Sequence, residues 1–180
     1  MNSYVALFRG INVGGKNSLP MKELVGILEK LGCRQIQTYI QSGNAVLKSA
    51  EKDPVALTSR ITAEVKKRRG FAPFVLLLSL KEFEKVVEEN PFREAKNEPQ
   101  AVHVGFLAST PKAPDLKALE SIKAANERFR LIDRAFYLYA PDGIGRSKLA
   151  ANTERLLDVS MTDRNWRTVS KLLEMAQSMP

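Results

Sequence analysis

The order of strand and helix patterns in the first half of the chain is the feature that most limits its fold. Residues 4–9 and 74–78 are short apolar runs typical of buried strands, and residues 36–48 form two strand patterns joined by a Ser-Gly-Asn turn. Apolar residues at helical spacing follow Pro20 and again follow Pro54. The resulting order, strand–helix–strand–strand–helix–strand, is the split βαβ arrangement.

The second half repeats most of this order. Strand patterns and helix patterns alternate there as strand, helix, strand, strand, helix, at residues 102–106, 116–122, 129–132, 135–139 and 149–157. Polar residues 93–100 form a plausible connection between the halves. The simplest prediction is an α+β chain of two small subdomains in tandem, 1–80 and 81–180, connected near residues 91–100, the first with the βαββαβ order of ferredoxin-like domains.

A last amphipathic helix is predicted at the C-terminal end, with Trp166 on its apolar side and Thr162 as its N-cap. On that helix Arg164, Thr168 and Lys171 would form one polar stripe. The stripe could be solvated surface or could face a ligand, and the sequence leaves both open.

Composition supports a packed chain with an uneven charge. The 180 residues are 44% hydrophobic and 27% charged, and the net charge is +8. Residues 1–80 contain 12 basic and 5 acidic residues, a net charge of +7. Such a field favours anionic partners, nucleic acid among them, although solubility alone explains many basic proteins. The basic run at residues 66–69 fits the negative end of a helix dipole first and a nucleic-acid contact second.

Several classes of function are excluded or disfavoured. With one histidine and one cysteine, His103 and Cys33, the sequence predicts no metal site, no cofactor and no internal disulfide. His103 has no acidic partner nearby in sequence, which disfavours a general-base role. No apolar run approaches the roughly 18 residues of a membrane span. The first residues lack the basic and apolar regions of a secretory signal, so a cytoplasmic location is expected.

Residues 10–17, Gly-Ile-Asn-Val-Gly-Gly-Lys-Asn, follow the first strand and match the phosphate-loop spacing G-x-x-x-x-G-K. Asn17 stands where that loop needs Ser or Thr to bind magnesium, and no apolar strand ends cleanly in a metal-binding Asp. A nucleotide hydrolase of that class is therefore disfavoured. Two alternatives stay open, namely a backbone anion site assisted by Arg9 and Lys16, and a flexible connection that uses glycine for positive φ.

A second glycine-basic loop spans residues 143–148, Gly-Ile-Gly-Arg-Ser-Lys. Ser147 can cap the helix that follows, and Arg146 and Lys148 flank its positive dipole end. The loop can be an anion site or an ordinary turn and cap.

Three segments together resemble a known family: residues 6–21, residues 38–44, and residues 145–149 with 162–166. They are similar to the domain-of-unknown-function 1697 (DUF1697) family of bacterial proteins, and the resemblance covers essentially the whole chain. It implies a pair of αβ-plait subdomains and supplies no biochemical activity and no catalytic residue. Asp163 departs from the pattern, since a small hydroxyl residue is expected there.

These observations predict an anion-binding protein whose ligand is a nucleotide, a phosphorylated metabolite or nucleic acid, held between the two subdomains. Two alternatives are an enzyme acting on a phosphorylated or nucleotide-like small molecule, and a protein–protein interaction domain without a ligand site. No catalytic residue, membrane association or oligomeric state is predicted. The candidate ligand-binding residues are Arg9, Asn12, Gly14, Gly15, Lys16, Asn17, Gln41, Ser42, Asn44, Arg146, Ser147, Lys148, Arg164 and Asn165.

Overall fold

The structure is a computed structural model that describes all residues, 1–180, and contains two four-stranded antiparallel sheets and six α-helices. The elements of the first half are β1 (Asn2–Arg9), α1 (Met21–Lys30), β2 (Arg34–Tyr39), β3 (Asn44–Ser49), α2 (Pro54–Arg69), β4 (Phe74–Ser79) and α3 (Leu80–Glu88). The second half contains β5 (Val102–Leu107), α4 (Leu116–Ile122), β6 (Arg128–Ile132), β7 (Ala135–Tyr139), α5 (Lys148–Leu157), β8 (Met161–Asn165) and α6 (Trp166–Gln177). None of the helices combines the length and the apolar character needed to cross a membrane.

The chain divides into two compact units. The first unit is Met1–Lys85 with Lys171–Pro180, and the second unit is Val86–Ser170. This division differs from the predicted one for residues 81–85 and for the C-terminal segment. Within the first unit Gln177 Nε2 donates to Glu84 Oε1 at 2.9 Å, so the end of α6 is tied to α3. The amphipathic pattern of α6 indicates that this helix has a buried side, but it does not identify which part of the chain covers that side.

The four strands of each unit are arranged in the same spatial order in the two sheets. The order is β2-β3-β1-β4 in the first unit and β6-β7-β5-β8 in the second, and all neighbouring strands are antiparallel. The mixed α+β class predicted from the sequence is therefore confirmed. In each sheet the first strand of the unit occupies a central position with a neighbour on both sides.

The helix boundaries follow from capping residues. Asp53 accepts the Val55 N–H before α2, whose first residue is a proline, and Gly70 ends it in the left-handed conformation at φ +79°. Ser79 and Glu82 form a reciprocal capping box before and within α3, with the Ser79 N–H donating to Glu82 Oε2 at 2.8 Å.

The core of the first unit lies between one face of its sheet and two helices. Tyr4, Ala6 and Phe8 of β1 are packed there with apolar residues of α1 and α2. Val5 and Leu7, on the opposite face of β1, are also fully buried. Both faces of this central strand are therefore closed to solvent, which explains its continuous apolar sequence.

The core of the second unit has the same layout. Leu107 of β5 and Leu138 of β7 pack with Leu149 and Leu157 of α5 and with Leu119 of α4. The helices α4 and α5 thus cover one face of the second sheet, as α1 and α2 cover one face of the first.

The prediction for residues 161–165 was wrong. Thr162 does not cap the last helix and Arg164 does not lie on it, because both belong to β8, which pairs with β5. Thr162 and Arg164 are buried while Met161 and Asp163 on the alternate face are partly exposed. The helix starts only at Trp166, so the expected stripe with Thr168 and Lys171 does not exist.

We expect Gly43→Ala to destabilise the protein more than Gly14→Ala does. Both glycines have positive φ, which costs an alanine about 1 kcal/mol. A Cβ at Gly43 would also lie 2.6 Å from Phe8 Cβ, whereas a Cβ at Gly14 would meet nothing within 4 Å. Overpacking should add about 1–3 kcal/mol at Gly43 alone. Urea unfolding measures both, and equal losses would contradict the crowding at Gly43.

Candidate functional site

Residues 12–17 of the glycine-rich loop form a short β-hairpin, which we call the hairpin loop. Gly14 and Gly15 are both left-handed, at φ +60° and +72°, as a two-residue hairpin turn requires. The Lys16 N–H donates to Val13 O at 3.1 Å, and the Asn12 N–H donates to Asn17 O at 3.1 Å. These two N–H groups are thus engaged within the loop and are not available to cradle a phosphate.

The side chain of Asn12 holds the hairpin loop against its surroundings. Its Nδ2 donates to Leu19 O at 2.8 Å and to Gln41 O at 2.9 Å, and its Oδ1 accepts the Leu19 N–H at 2.7 Å. Asn17 adds a further bond, from its Nδ2 to Gly10 O at 2.9 Å. The structure therefore brings Asn12, Asn17 and Gln41 together, and the two asparagine amides serve as loop supports.

The turn between β2 and β3 lies next to the hairpin loop. Asn44 is fully buried, and its Nδ2 donates to Ser42 Oγ at 3.0 Å and to Tyr39 O at 3.2 Å. Gly43 O accepts the Phe8 N–H at 2.8 Å. A ligand has no access to Asn44 in this arrangement, so its side chain shapes the turn.

Exposed side chains project from these two loops. Val13 is 65% exposed and Ile40 is 52% exposed. Ile40 is also left-handed at φ +49°, a strained conformation for a β-branched residue. Lys16 is exposed at the tip, and its ammonium group has no partner in the protein, while Arg9 ends β1 on the surface.

A basic cleft lies at the C-terminal end of α2. We call it the α2 cleft; its lining residues are Asn17, Ser18, Arg68, Arg69, Gly70 and Phe71, and its volume is about 580 Å³. Arg69 Nε donates to Ser18 O at 2.9 Å and lies 3.5 Å from Glu23. Arg68 Nε pairs with Glu64 at 2.9 Å, and Lys30 pairs with the same carboxylate at 2.7 Å. The hydrogen bonds from these two cations lower the pKa of Glu64 to about 2.

A second cleft lies in the second unit at the start of α5. This α5 cleft has a volume of about 730 Å³, and its polar lining residues are Asn126, Glu127, Asp142, Arg146, Ser147 and Lys148. Ser147 Oγ accepts the Ala150 N–H at 2.9 Å, which confirms the predicted cap. Neither Arg146 nor Lys148 has an ion-pair partner in the protein. The structure thus brings three predicted site residues to one concave surface.

Two carboxylates on the α5 cleft were not predicted. Glu127 is buried and its Oε2 accepts the Ala124 N–H at 2.8 Å. Asp142 Oδ2 accepts from Asn126 Nδ2 at 2.8 Å. Both sit in loops whose sequences carry no motif, so only the fold shows that they face the same cleft as Arg146 and Lys148.

Arg164 and Asn165 are not among the residues that line the α5 cleft. Arg164 donates to Thr162 Oγ1 and to Asp163 O, both at 2.7 Å, and burial lowers its pKa to about 10 while Asp163 opposes that change. Its side chain alternates with that of Asp163 and so lies on the sheet face opposite α5. Asn165 Nδ2 donates to Gln100 O at 3.0 Å.

His103 has the acidic partner that its sequence neighbourhood lacks. Its Nδ1 lies 3.3 Å from Asp163 Oδ2, across the pairing of β5 with β8. No local pattern could reveal this partner, because the two residues are 60 positions apart in sequence. The His103 side chain is 9% exposed, and neither residue lines the α5 cleft. No group of three or more His, Cys, Asp or Glu side chains is placed to hold a metal ion.

Comparisons with known proteins agree with the fold and assign no chemistry. A family model described as a protein of unknown function (DUF1697) matches residues 1–137. The chain is similar in structure to the conserved bacterial protein SP0830 from Streptococcus pneumoniae, with a TM-score of 0.71 and 25% sequence identity over 97% of this chain and 98% of that one. No curated protein matches.

Asn12→Ala should destabilise the first unit by about 1–3 kcal/mol, because it removes three hydrogen bonds to main-chain groups. Asn17→Ala is the matched control. It replaces another left-handed asparagine in the same loop and removes one hydrogen bond, from Asn17 Nδ2 to Gly10 O, so a loss of about 1 kcal/mol or less is expected. Urea denaturation compares the two, and equal losses would show that Asn12 does not hold the loops together.

The ion pairs of Glu64 with Lys30 and Arg68 predict how the stability of the protein depends on pH. Because the folded-state pKa of Glu64 is lowered from 4.5 to about 2, its contribution to stability is present above about pH 4.5 and is lost as the pH falls toward 2. Glu64→Gln should therefore narrow the stability difference between pH 6 and pH 3, measured by thermal unfolding at each pH. An unchanged difference would show that the pair does not form in solution.

Proposed function

The chain belongs to the DUF1697 family, whose function is unknown, and we propose that it binds a small molecule carrying a phosphate group in the α5 cleft. The observation that carries the proposal is the pair of cations without protein partners, Arg146 and Lys148, on either side of the Ser147 cap. The sequence predicted one site shared by both subdomains, whereas this proposal needs only residues of the second unit.

The chemistry of the cleft suits a phosphate ester. Helix starts leave N–H groups without intrahelical partners and carry a partial positive charge, which favours an anion there. A guanidinium group adds charge-assisted hydrogen bonds in a fork that matches phosphate oxygens. Arg146 is thus proposed to bind two phosphate oxygens, and Lys148 to neutralise the remaining charge.

Glu127 and Asp142 narrow the class of ligand. They would repel a bare anion, but they accept hydrogen bonds from hydroxyl or amino groups. A nucleotide or a sugar phosphate presents both a phosphate and several hydroxyl groups, so it can meet the cations and the carboxylates together. Inorganic phosphate lacks the hydroxyl-bearing part and should bind less tightly.

We also propose that each unit is an αβ-plait, the ferredoxin-like arrangement. This is supported by the central position of β1 and β5 and by the packing of two helices on one sheet face in each unit. A cytoplasmic location is likewise a proposal, and the buried free thiol of Cys33 fits a reducing compartment.

The enzyme alternative would need a general base beside the cleft. His103 with Asp163 is the pair whose chemistry fits that role, but its imidazole is buried and lies outside the cleft lining. Binding without turnover is therefore the function proposed. The interaction-domain alternative predicts that no phosphorylated compound binds, so the experiment below also tests it.

A thermal-shift screen against nucleotides, sugar phosphates and inorganic phosphate tests the proposal. A ligand that binds the native state raises the melting temperature by mass action. Arg146→Ala and Lys148→Ala should each weaken binding about tenfold, because each removes one charge-assisted contact. Without ligand, both variants should melt within about 2 °C of the wild type, since exposed unpaired cations contribute little to stability.

Lys112→Ala is the matched control. Lys112 is exposed and lies three residues before Asp115, whose N–H bonds to Leu156 O near the far end of α5. The Lys112→Ala variant removes one positive charge from the second unit at a position away from the α5 cleft, so it should leave ligand binding unchanged. The proposal fails if no compound raises the melting temperature, or if Lys112→Ala weakens binding as much as Arg146→Ala.

A further inference from the structure

From the α2 cleft we infer a second site, which takes single-stranded nucleic acid, with backbone phosphates held by the cations at the end of α2 and a base stacked on Phe71. This site lies within the first unit and is independent of the function proposed for the α5 cleft. The argument depends on the charge of the unit, on how each cation is held, and on the aromatic wall of the cleft.

The first unit carries almost all of the excess charge. It contains 15 basic and 8 acidic residues, a net charge of +7, whereas the second unit contains 13 basic and 12 acidic residues. Four cations follow one another at the end of α2: Lys66, Lys67, Arg68 and Arg69. The helix dipole contributes only about half a negative charge there. These residues therefore provide far more charge than the helix end requires.

Each of the two arginines at the end of α2 is fixed by a partner in the protein. Arg69 donates to Ser18 O, and Arg68 pairs with Glu64 one turn earlier. Their side chains are still about one third exposed, at 30% and 34%. A guanidinium that is fixed at its Nε keeps terminal N–H groups that can bind phosphate.

Lys66 and Lys67 provide mobile charge beside these fixed groups. Both are exposed, and neither ammonium group has a partner in the protein. Of the nearby carboxylates, Glu64 is already paired with Lys30 and Arg68, and Glu23 lies beside Arg69. The last turn of α2 is therefore net positive, as a surface that binds a phosphate backbone must be.

Phe71 and Asn17 make the cleft suitable for a nucleotide base. Phe71 lines the cleft and is only partly buried against the core of the unit. Base stacking on an aromatic ring contributes about 1–3 kcal/mol per base and does not depend on sequence. Asn17 donates to Gly10 O through Nδ2, which leaves its Oδ1 free to accept a base N–H. A base can reach this cleft only when it is unstacked, which favours single strands over duplex.

The sheet of this unit cannot supply the stacking surface that other proteins of similar topology use for RNA. One face of its sheet is packed against α1 and α2, and on the other face Val5, Leu7 and Val46 are fully buried. A base-stacking site in the first unit must therefore lie off the sheet, and the α2 cleft joins an aromatic side chain to the densest group of cations.

Fluorescence anisotropy with a labelled oligothymidylate of about 12 nucleotides tests this inference, at about 50 and about 200 mM salt. The wild type should bind, and binding should weaken steeply as salt rises. Lys66→Ala with Lys67→Ala should reduce affinity about tenfold and lower the slope of log K against log salt by about 1.4, since each phosphate contact on a single strand contributes about 0.7.

Lys52→Ala with Lys81→Ala is the matched control. Both lysines are exposed, lie in the first unit and line a different cleft. Lys52 precedes the cap of α2, so the length of that 16-residue helix, about 24 Å, separates it from Arg69. This double variant removes the same charge and should change affinity less than twofold. Equal effects of the two double variants would overturn a defined site.

Phe71→Leu separates stacking from charge. It should reduce affinity about fivefold or more and leave the salt slope unchanged. Circular dichroism and the melting temperature verify that each variant folds, and the lysine pair tests the site even where Phe71→Leu does not fold. Polyglutamate that competes as well as oligothymidylate, or a duplex of the same length that binds as tightly, would overturn the inference.

Discussion

In the first unit β1 pairs with β3 along one edge and with β4 along the other, and its residues are buried on both faces, with Ala6 and Phe8 on one side and Val5 and Leu7 on the other. A strand in this position cannot shift by one residue without moving its side chains to the wrong faces of the sheet. Its register therefore fixes where it ends, at Arg9. The glycine-rich loop starts there, so the positions of Asn17 and Ser18, which line the α2 cleft, depend on the pairing of β1.

The loop that follows β1 matches the phosphate-loop spacing but folds as a β-hairpin. The spacing of Gly10, Gly15 and Lys16 matches, but Gly14 and Gly15 are needed for the hairpin turn, and the N–H of Lys16 is bonded within it. The asparagine at position 12 then connects this hairpin to the next turn along the sheet edge. The loop thus presents the Lys16 side chain, while the Asn12 and Lys16 N–H groups are bonded within the hairpin.

Most of the fold was predictable because the patterns of apolar residues that define its strands and helices, and the cap at Ser147, involve neighbours in sequence. The strand β8 was missed for the opposite reason. Its middle residues are Thr, Asp and Arg, and their alternation of buried and exposed faces exists only beside β5. The same limit applies to the sites. Ser147 was found through its cap. Three other features could not be found from local sequence, because each brings together residues that are distant in the chain: the contact of Asp163 with His103, the carboxylates at the α5 cleft, and the three hydrogen bonds of Asn12.

Because the net charge is divided unevenly between the two units, the two proposed sites would attract their ligands in different ways. A net charge of +7 in the first unit attracts a polyanion from a distance, but salt confines that attraction to about 8 Å under physiological conditions. The second unit has nearly balanced charge, so its cleft cannot gain affinity from a long-range field. The α5 cleft must therefore select its ligand through direct contacts. Arg146 and Lys148 would contact the phosphate, and Glu127 and Asp142 would contact the hydroxyl groups. A polymer bound by its backbone suits the first arrangement, and a small molecule that carries both a phosphate and hydroxyl groups suits the second.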